Sequence, residues 1–355
     1  MTFNTKPNII VLLVDQLRND KRHLHPIFNT LQKMGALFSQ MITYAPYTLA
    51  SMHAVFTGMY GNKNAKDCYT LPQYLKENGY YTCIDTFSEI LLPSQGVDDF
   101  NLYDENTVKN IYRRHTLLLD KTVMKDEPFF LFLHYPKIHK EIVENVIQKY
   151  DDFDKNYFGN EKENHARYDK LVIEAGYYLE RMIDYIGKLR LFDNSIVVVM
   201  TDHGSSLGEV PGELAYGVYT YDYSIKTWCY ILSNNLNNNV NVGKAVRNVD
   251  ILPTLLDLLK IKPKYDMDGE SLLPLHKIQD RTAFVETAAL IGPHPSPEKP
   301  NIKCIRTNEW KLIFNLTTEK KELYNLLKDP NEHNNLIGKH DEIEQDLMEQ
   351  LSEYL

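Results

Sequence analysis

The stretch Asn8-Ile-Ile-Val-Leu-Leu-Val-Asp15-Gln16 places an acidic residue and an amide directly after six consecutive apolar residues. A run of β-branched and leucine residues without polar alternation is typical of a central strand that is covered on both faces. The run is too short for a signal-peptide core or a membrane span. It therefore predicts a buried strand with Asp15 and Gln16 at its carboxyl end.

Similar apolar runs recur further along the chain. They are Phe129–His134, Ser195–Asp202 and Thr227–Leu232. Between the runs lie amphipathic helical patterns at Pro26–Met34, Leu71–Asn78 and Tyr168–Leu191. Because strands alternate with helices, we expect an α/β sandwich whose central sheet is mixed and largely parallel.

The character of the sequence changes after Ile261. Residues 262–269 form a turn-rich connector, residues 283–314 resemble two or three short strands, and residues 336–355 have a helical pattern. We expect one large domain over residues 1–274 and a small α+β C-terminal subdomain over residues 275–355.

Composition excludes several classes of protein. The chain has 355 residues, of which 43% are hydrophobic and 25% charged, so it is neither disordered nor fibrous. The 48 acidic residues exceed the 39 basic residues by 9, and no overall positive charge draws the protein to nucleic acid. We therefore expect no nucleic-acid partner.

The spacing of the four cysteines bears on the cellular compartment of the protein. Cys68, Cys83, Cys229 and Cys304 lie far apart and form no C-x-x-C pair, which excludes a zinc knuckle and a disulfide framework. A reducing compartment fits best, so we expect a cytoplasmic protein. No stretch approaches twenty apolar residues, and we expect no transmembrane segment. A secreted or lumenal protein would need a leader that had been trimmed away.

Two of the predicted strands end in acidic residues, Asp15 and the Asp202 of Thr201-Asp-His-Gly204. Ligands of a parallel α/β sheet bind at the edge where the carboxyl ends of the strands meet. Carboxylate and amide oxygens with an imidazole suit a divalent ion such as Ca²⁺, Mn²⁺, Mg²⁺ or Zn²⁺. From the residues alone, the alternative remains open that each aspartate caps the following loop or helix.

Thr48 is the first candidate for a reactive hydroxyl. A helical pattern begins just after Pro46, which puts Thr48 at or beside the N-cap of a helix. The residue types allow a plain capping role. They equally allow a nucleophile, because helix N-termini favour anions and a metal-bound hydroxyl loses its proton readily.

Seven segments together resemble the sulfatase family of the alkaline phosphatase superfamily. They are Asn8–Gln16, Thr48–Gly58, Thr201–Glu209, Tyr221–Lys226, Val249–Leu258, Asp268–Leu275 and Glu322–Pro330. The segments occur in the order of the family and span nearly the whole chain. The resemblance implies the sulfatase/alkaline-phosphatase-like sandwich, with the catalytic domain over residues 1–274.

The resemblance also implies roles for single residues. It makes Asp15, Gln16, Asp202 and His203 the ligands of one divalent ion, and it puts the nucleophile at Thr48. The Asp-Gln pair is similar to the variant in choline-sulfatase and phosphonate-monoesterase branches. A further position, His139, falls where the family has a histidine that contacts the substrate or protonates the leaving group. Without the resemblance, His139 would be assigned to a solvent-facing loop.

The departures from the family pattern bear on the substrate. Sulfatases oxidise the Cys or Ser of C-x-P-S-R to formylglycine, but the stretch here is Thr48-Leu-Ala-Ser-Met52, and threonine is not a substrate for that oxidation. Met52 replaces the arginine of the motif, and a customary lysine falls on Gly217. Two cations that hold the sulfate are thus missing. We expect His53 and Lys226 to contact the substrate instead, although His53 equally fits a helix surface.

We therefore expect a metal-dependent hydrolase or transferase that acts on a phosphodiester or phosphomonoester through Thr48. The alternatives are a sulfuric ester hydrolase and a degenerate family member that binds phosphorylated or sulfated glycans without turnover. The expected substrate is a small-molecule, lipid-linked or glycan ester. The sequence specifies neither the metal nor the oligomeric state.

Overall fold

The computed structural model describes residues 6–61, 68–288 and 298–355. Within these ranges the main sheet has nine strands. Their bounds are β1 Asn8–Val14, β2 Ala36–Ile42, β3 Tyr81–Thr86, β4 Asp99–Leu102, β5 Phe129–Tyr135, β6 Ser195–Met200, β7 Lys226–Leu232, β8 Val240–Val242 and β9 Val246–Arg247. The spatial order is β4-β3-β5-β1-β6-β7-β2-β8, and β9 pairs with β2.

Strand β1 lies in the middle of the parallel part of the sheet. It pairs in parallel with β5 on one side and β6 on the other, and its register places Leu13 opposite both His134 and Met200. Strands β3 and β4 continue the parallel part, whereas β7 runs antiparallel to β6 and β2. The expected mixed, largely parallel sheet is confirmed. Its carboxyl edge therefore gathers the ends of β1, β3, β5 and β6.

Helices cover both faces of the sheet. Their bounds are α1 Ile27–Met34, α2 Thr48–Thr57, α3 Leu71–Glu77, α4 Ile111–Val123, α5 Lys137–Ile142, α6 Lys155–Phe158, α7 Glu161–Lys188, α8 Asp222–Ile225, α9 Ile251–Leu259 and α10 Asp341–Ser352. Ile10 and Leu12 of β1 pack with α1, α4 and α7 on one face. Ile9 and Leu13 pack with α2, α3 and α9 on the other face. An uninterrupted apolar strand is required because both faces of β1 are buried.

A second, four-stranded antiparallel sheet lies toward the C-terminus. Its strands are β10 Ala283–Glu286, β11 Ile302–Arg306, β12 Trp310–Asn315 and β13 Lys320–Asn325, in that spatial order. The short strands expected over residues 283–314 are found, and β13 extends the sheet beyond them. Residues 289–297 of that stretch lie outside the described residues. The division at residues 274 and 275 stays a prediction.

The second sheet shares an apolar core with helix α2. Ala50 and Ala54 of α2 are buried in one cluster with Phe284, Ile305 and Leu312 of the second sheet. The helix that carries Thr48 is thus held between the two sheets. In the described part of the chain, every helix is too short or too polar to cross a membrane.

Candidate metal centre and active site

Three hydrogen bonds from two neighbouring elements fix the turn after β1. Gln16 has a φ of 61°, a left-handed conformation that is uncommon for a residue other than glycine. The Tyr168 hydroxyl donates to the carbonyl of Gln16 and accepts the backbone N–H of Arg18 at 2.8 Å. The indole N–H of Trp228 donates to the carbonyl of Leu17 at 2.9 Å. Helix α7 and strand β7 therefore hold the turn in its strained form.

Asp15, Asp202 and His203 meet at the carboxyl edge of the main sheet. One ligand atom from each lies within 4.8 Å of the other two, and all three side chains are buried. His203 Nε2 is 3.7 Å from Asp15 Oδ1 and 3.6 Å from Asp202 Oδ2. His203 Nδ1 lies 2.8 Å from the carbonyl of Gly204, so this nitrogen carries the proton. The lone pair of Nε2 therefore points toward the two carboxylates.

Several polar atoms of this cluster are buried without a hydrogen-bond partner. They are Asp15 Oδ1, Asp202 Oδ2 and both side-chain amide atoms of Gln16. A buried, unpartnered carboxylate oxygen is costly unless a cation neutralises it. The donor set of two carboxylates, an imidazole and an amide fits a divalent ion. The structure thus gathers Asp15, Asp202 and His203, and the backbone N–H of Gln16 donates to Asp202 Oδ1 at 3.2 Å, while ligation of an ion by these four residues stays a prediction.

The two carboxylates differ in their electrostatic surroundings. Burial and the neighbouring charge of Asp15 raise the pKa of Asp202. Burial acts the same way on Asp15, but the hydrogen bond from His134 and the charge of nearby His139 outweigh it and lower the pKa of Asp15. Asp15 is therefore the more readily ionised member of the pair.

Thr48 is the first residue of α2, and Tyr47 is the N-cap. No side-chain hydrogen bond caps this helix, so the capping role that the sequence allowed for Thr48 is absent. The Thr48 hydroxyl oxygen instead lies 3.3 Å from His203 Nε2. The first N–H groups of α2 also lie at this point, and they favour an anion. The Thr48 hydroxyl is therefore in contact with the candidate metal cluster, which consists of Asp15, Asp202 and His203 and is called the metal cluster below.

A buried hydrogen-bond network ties α2 to the Asp202 turn. The Ser51 hydroxyl donates to the carbonyl of Asp202 at 2.8 Å. Asn248 donates to the carbonyl of Ser51 at 3.0 Å, and its side-chain oxygen accepts the N–H of Tyr44 at 3.0 Å. The sequence analysis did not identify Ser51 or Asn248. Ser51 lies inside the Thr48 motif, which was a usable signal, whereas Asn248 has no spacing pattern that would identify it.

His139 lies in the short helix α5 rather than in the loop that the residues alone suggested. Its Nδ1 is 3.0 Å from Glu105 Oε2, and its Nε2 is 3.2 Å from the Tyr216 hydroxyl. The His139 ring stacks on Phe87 with centroids 5.0 Å apart. The Tyr216 ring in turn packs against His203, with centroids 5.1 Å apart. His139 therefore reaches the edge of the metal cluster through Tyr216.

The charge state of His139 is set by its acidic neighbours. Burial opposes protonation, but the hydrogen bond to Glu105 and the charges of Asp15, Glu105 and Asp202 outweigh it and raise the pKa of His139. His139 thus retains its proton to higher pH than an isolated histidine, which suits a proton donor to a leaving group.

Tyr216 belongs to a segment, residues 204–221, that has neither helix nor strand. Buried Glu213 organises it: its carboxylate accepts the N–H groups of Val218 and Tyr219, each at 3.0 Å, and the Tyr223 hydroxyl at 2.8 Å. Burial raises the pKa of Glu213 to about 7 although these donors oppose the shift. Glu213 was also missed by the sequence analysis.

His53 and Lys226 were expected to contact the substrate. His53 is buried in α2, where its Nε2 lies 3.5 Å from the Thr57 hydroxyl, and burial lowers its pKa. In the described ranges no hydrogen bond or ion pair joins His53 to Thr48 or to the metal cluster. Lys226 begins β7 half-buried, and burial lowers its pKa. Their roles stay predictions.

Positive charge is scarce around Thr48. Met52 is buried in the apolar cluster between α2 and α9. Gly217 has a φ of 89°, and a Cβ there would meet no atom within 4 Å. Among the residues that the structure describes, no lysine or arginine side chain binds Thr48, Asp15, Asp202 or His203. The nearby Arg18 is occupied by Asp20, at 2.9 Å, and by Glu209. The loss of two cations inferred from the sequence is not compensated by another arginine or lysine contact.

Comparisons with known proteins identify the family of the chain. The sequence profile described as Sulfatase matches residues 7–261, and the profile described as N-sulphoglucosamine sulphohydrolase, C-terminal, matches residues 217–355. The first match alone covers more than half of the chain. Together the two profiles extend over nearly the whole sequence.

Curated relatives have low sequence identity to this chain, and the length of the aligned region differs between them. The Escherichia coli (strain K12) protein named "Uncharacterized sulfatase YidJ" is 24% identical over 392 residues, which cover 87% of this chain and 77% of that protein. N-acetylglucosamine-6-O-sulfatase of Bacteroides thetaiotaomicron is 28% identical over 183 residues, which cover 47% of this chain and 31% of that protein. The alignment thus spans about a third of the length of the second relative.

Solved structures share the fold. BT4656, in complex with its substrate D-glucosamine-2-N,6-O-disulfate, matches 99% of this chain and 97% of its own, with a TM-score of 0.77 and 17% identity. The phosphonate monoester hydrolase of Agrobacterium radiobacter matches 98% of this chain and 95% of its own, with a TM-score of 0.76 and 15% identity. At these identities the likeness establishes the fold alone, and it confirms the expected sandwich.

Proposed function

The chain belongs to the sulfatase family, and from that premise we propose that it hydrolyses a singly charged oxoanion ester, in the first place a sulfate monoester. The observation that carries the proposal is the position of the Thr48 hydroxyl, 3.3 Å from His203 Nε2 and beside the unpartnered oxygens of Asp15 and Asp202. The relatives named as sulfatases and the sulfated substrate of BT4656 support the sulfate ester. This order reverses the one expected from the sequence, where phosphate esters came first.

Different residues bind the ion and orient the ester in the proposed reaction. When bound, a divalent ion supplies positive charge that acidifies a neighbouring hydroxyl and offsets the charge of the ester. Asp15, Gln16, Asp202 and His203 would hold that ion. The N–H groups at the start of α2 orient the ester oxygens toward Thr48. Because Asp15, Gln16, Asp202 and His203 are buried, electrostatic contacts among them are stronger than they would be in water.

Bond formation takes place at Thr48. Its oxygen, after loss of the hydroxyl proton to solvent, attacks sulfur, and the bond from sulfur to the leaving oxygen breaks. His139, held by Glu105, gives its proton to that oxygen, so the product alcohol leaves neutral. Water then attacks the sulfur of the sulfothreonine, which releases sulfate and restores the Thr48 hydroxyl.

The charge of the site supports a substrate with one negative charge. A sulfate monoester and a phosphodiester each carry one charge, whereas a phosphomonoester carries nearly two at neutral pH. Met52 and Gly217 stand where cations would be, and in the described ranges no lysine or arginine side chain contacts the cluster. His139, whose pKa is raised by its acidic neighbours, is the candidate for the remaining positive charge. A phosphomonoester is therefore the least suitable of the three classes.

A phosphodiester is the second candidate, and Thr48 itself favours it. Formylglycine releases sulfate by eliminating it from its hydrate, a route that threonine lacks. A phosphothreonine is open to attack at phosphorus by water or by an alcohol, which also accommodates the transferase reaction expected from the sequence. The proposal includes a glycan or lipid-linked ester as the substrate. It also includes a reducing compartment, since the cysteines that the structure describes form no disulfide.

A panel of matched nitrophenyl esters tests the proposal. We expect the sulfate monoester to exceed the phosphomonoester in kcat/KM by at least about tenfold, which is roughly 1.4 kcal/mol, with Mn²⁺, Ca²⁺, Mg²⁺ or Zn²⁺ added. A phosphodiester that outranks the sulfate would select the second candidate. Preference for the phosphomonoester with every metal would contradict both.

A further inference from the structure

We propose that His134 is a positioning residue of the metal centre, which binds one oxygen of Asp15 and so reserves the other oxygen for the divalent ion. The inference rests on the proposed function, because that function places an ion between Asp15, Asp202 and His203. His134 was not among the residues that the sequence analysis singled out.

The position of His134 follows from the sheet. Strands β3, β5 and β1 are consecutive neighbours, and they deliver Thr86, His134 and Asp15 to the same edge. His134 Nδ1 lies 3.0 Å from the Thr86 hydroxyl, and its Nε2 lies 3.2 Å from Asp15 Oδ2. All three side chains are buried. A line of hydrogen bonds therefore runs across three strands and ends at the metal cluster.

The hydrogen bonds also define where the imidazole proton lies. Asp15 Oδ2 is an acceptor, so Nε2 must donate to it and carry the proton. Nδ1 is then an acceptor, which matches the Thr86 hydroxyl as a donor. A buried hydroxyl needs such an acceptor, and Nδ1 provides it. One tautomer thus satisfies both contacts.

The ring is held in place by its neighbours. Phe87 packs against it with centroids 4.8 Å apart. The backbone beside the ring is fixed as well, because the Tyr103 hydroxyl donates to the carbonyl of His134 at 2.6 Å. The imidazole therefore presents a fixed N–H to Asp15 rather than a mobile one.

The consequence for Asp15 is an asymmetric carboxylate. Oδ2 is bound by His134, whereas Oδ1 has no hydrogen-bond partner and faces His203 Nε2 at 3.7 Å. A carboxylate that is held by one oxygen has its rotation about χ2 restrained, and the free oxygen stays aimed at the cluster. Partners of this kind orient metal ligands, and their removal commonly weakens metal binding by about 10- to 100-fold.

Two substitutions at His134 distinguish the effect of its hydrogen bond to Asp15 from the effect of its packing. His134→Gln keeps an N–H group near the position of Nε2, whereas His134→Asn retains a polar group near Nδ1 but does not reach Asp15. His115→Gln is the matched control, since His115 is equally buried and contacts Tyr178 and Asp85 instead. Thermal unfolding of each metal-free variant verifies that it is folded.

The measurement is titration of chelator-treated protein with Mn²⁺, followed by calorimetry and by the electron paramagnetic resonance spectrum of the bound ion. We expect His134→Asn to raise the Kd for Mn²⁺ by about 10- to 100-fold and to broaden the spectrum. His134→Gln should restore most of the affinity, and His115→Gln should leave it unchanged. Thr86→Val should cause a smaller loss, because the ring keeps its contact with Asp15.

Asp15→Asn distinguishes failure of this inference from failure of the proposed function. If Asp15→Asn loses Mn²⁺ but His134→Asn binds it like the unmodified protein, the role of His134 is wrong and the metal centre stands. If His134→Gln is as weak as His134→Asn, the hydrogen bond is not the cause, and the inference is again overturned. If Asp15→Asn binds Mn²⁺ as well as the unmodified protein, the metal centre and the role of His134 both fail.

Discussion

Thr48 is the residue on which the proposed chemistry depends most directly. We expect Thr48→Ala to lower kcat by at least about a thousandfold, because the attacking oxygen is removed, while stability changes by less than about 1 kcal/mol since Thr48 caps no helix. Thr48→Ser should retain part of the activity. Steady-state kinetics on the preferred ester, with thermal unfolding alongside, checks both expectations. An alanine variant with near-normal kcat would show that water attacks directly.

The protonation of His139 gives a prediction of pH dependence. Glu105 raises the pKa of His139, so the proton donor stays charged to higher pH than an isolated histidine. Glu105→Gln removes that charge, and the alkaline limb of kcat/KM should move to lower pH. The acidic limb should stay in place. Rate profiles of both proteins between pH 5 and pH 10 provide the test, and an unshifted alkaline limb would exclude His139 as the acid.

At the scale of residues, the sequence predicted those site residues that directly follow a strand or begin a helix. Asp15 and Asp202 were expected at one edge because parallel strands share their carboxyl ends, and the structure brings them together with His203 and Thr48. Supporting residues such as Asn248 and His134 were not predictable in this way. Their partners lie far away in sequence, so no local pattern identifies them.

Helix α2 is the element that presents Thr48, and a buried network determines its position. Asn248→Ala should leave the Tyr44 N–H without its partner and release Ser51, at a cost of about 2–3 kcal/mol in the free energy of unfolding. Because the start of α2 also moves relative to Asp202, kcat should fall about tenfold or more. Chemical denaturation and kinetics measure the two effects. The exposed Asn241→Ala serves as the control and should change neither.

At the scale of elements, the apolar runs were found as β1, β5, β6 and β7 and the short strands after residue 283 as β10, β11 and β12, whereas β2, β3, β4, β8 and β9 were not predicted. Ser39 and Gln40 interrupt the apolar pattern of β2. Strand β3 carries polar residues and is nevertheless buried, since Asp85 pairs with Arg114 at 2.7 Å. A buried charge can be neutralised by a partner that is remote in sequence, and such a pair produces no periodic pattern from which the strand could be predicted. The antiparallel direction of β7 has no such pattern either.

The whole molecule is held together by buried charge as well as by apolar packing. Lys311 of the second sheet is buried and contacts Asp222 at 2.6 Å and Glu332 at 2.7 Å. Asp222 belongs to the short helix that leads into β7 of the main sheet. The two sheets are therefore linked by a largely buried ion pair.

Removal of this lysine should destabilise the entire fold. We expect Lys311→Met to lower the free energy of unfolding by about 3–5 kcal/mol, because Glu332 loses its buried cationic partner while Asp222 retains its ion pair with Arg306 at 2.8 Å. Lys303→Met, which breaks the more exposed pair with Glu286, should cost less than about 1 kcal/mol. Calorimetry of both variants makes the comparison. Equal melting temperatures for the two would contradict the structural role of the buried pair.

The burial of Met52 has a consequence for engineering of the site. Met52 lies in one apolar cluster with Phe56 and Leu252, so an arginine there would place a guanidinium among apolar side chains at a cost on the order of several kcal/mol. Introduction of a cation at this position would therefore require simultaneous repacking of α2 and α9. The apolar packing around Met52 is thus a barrier to any redesign that aims to place an arginine beside Thr48.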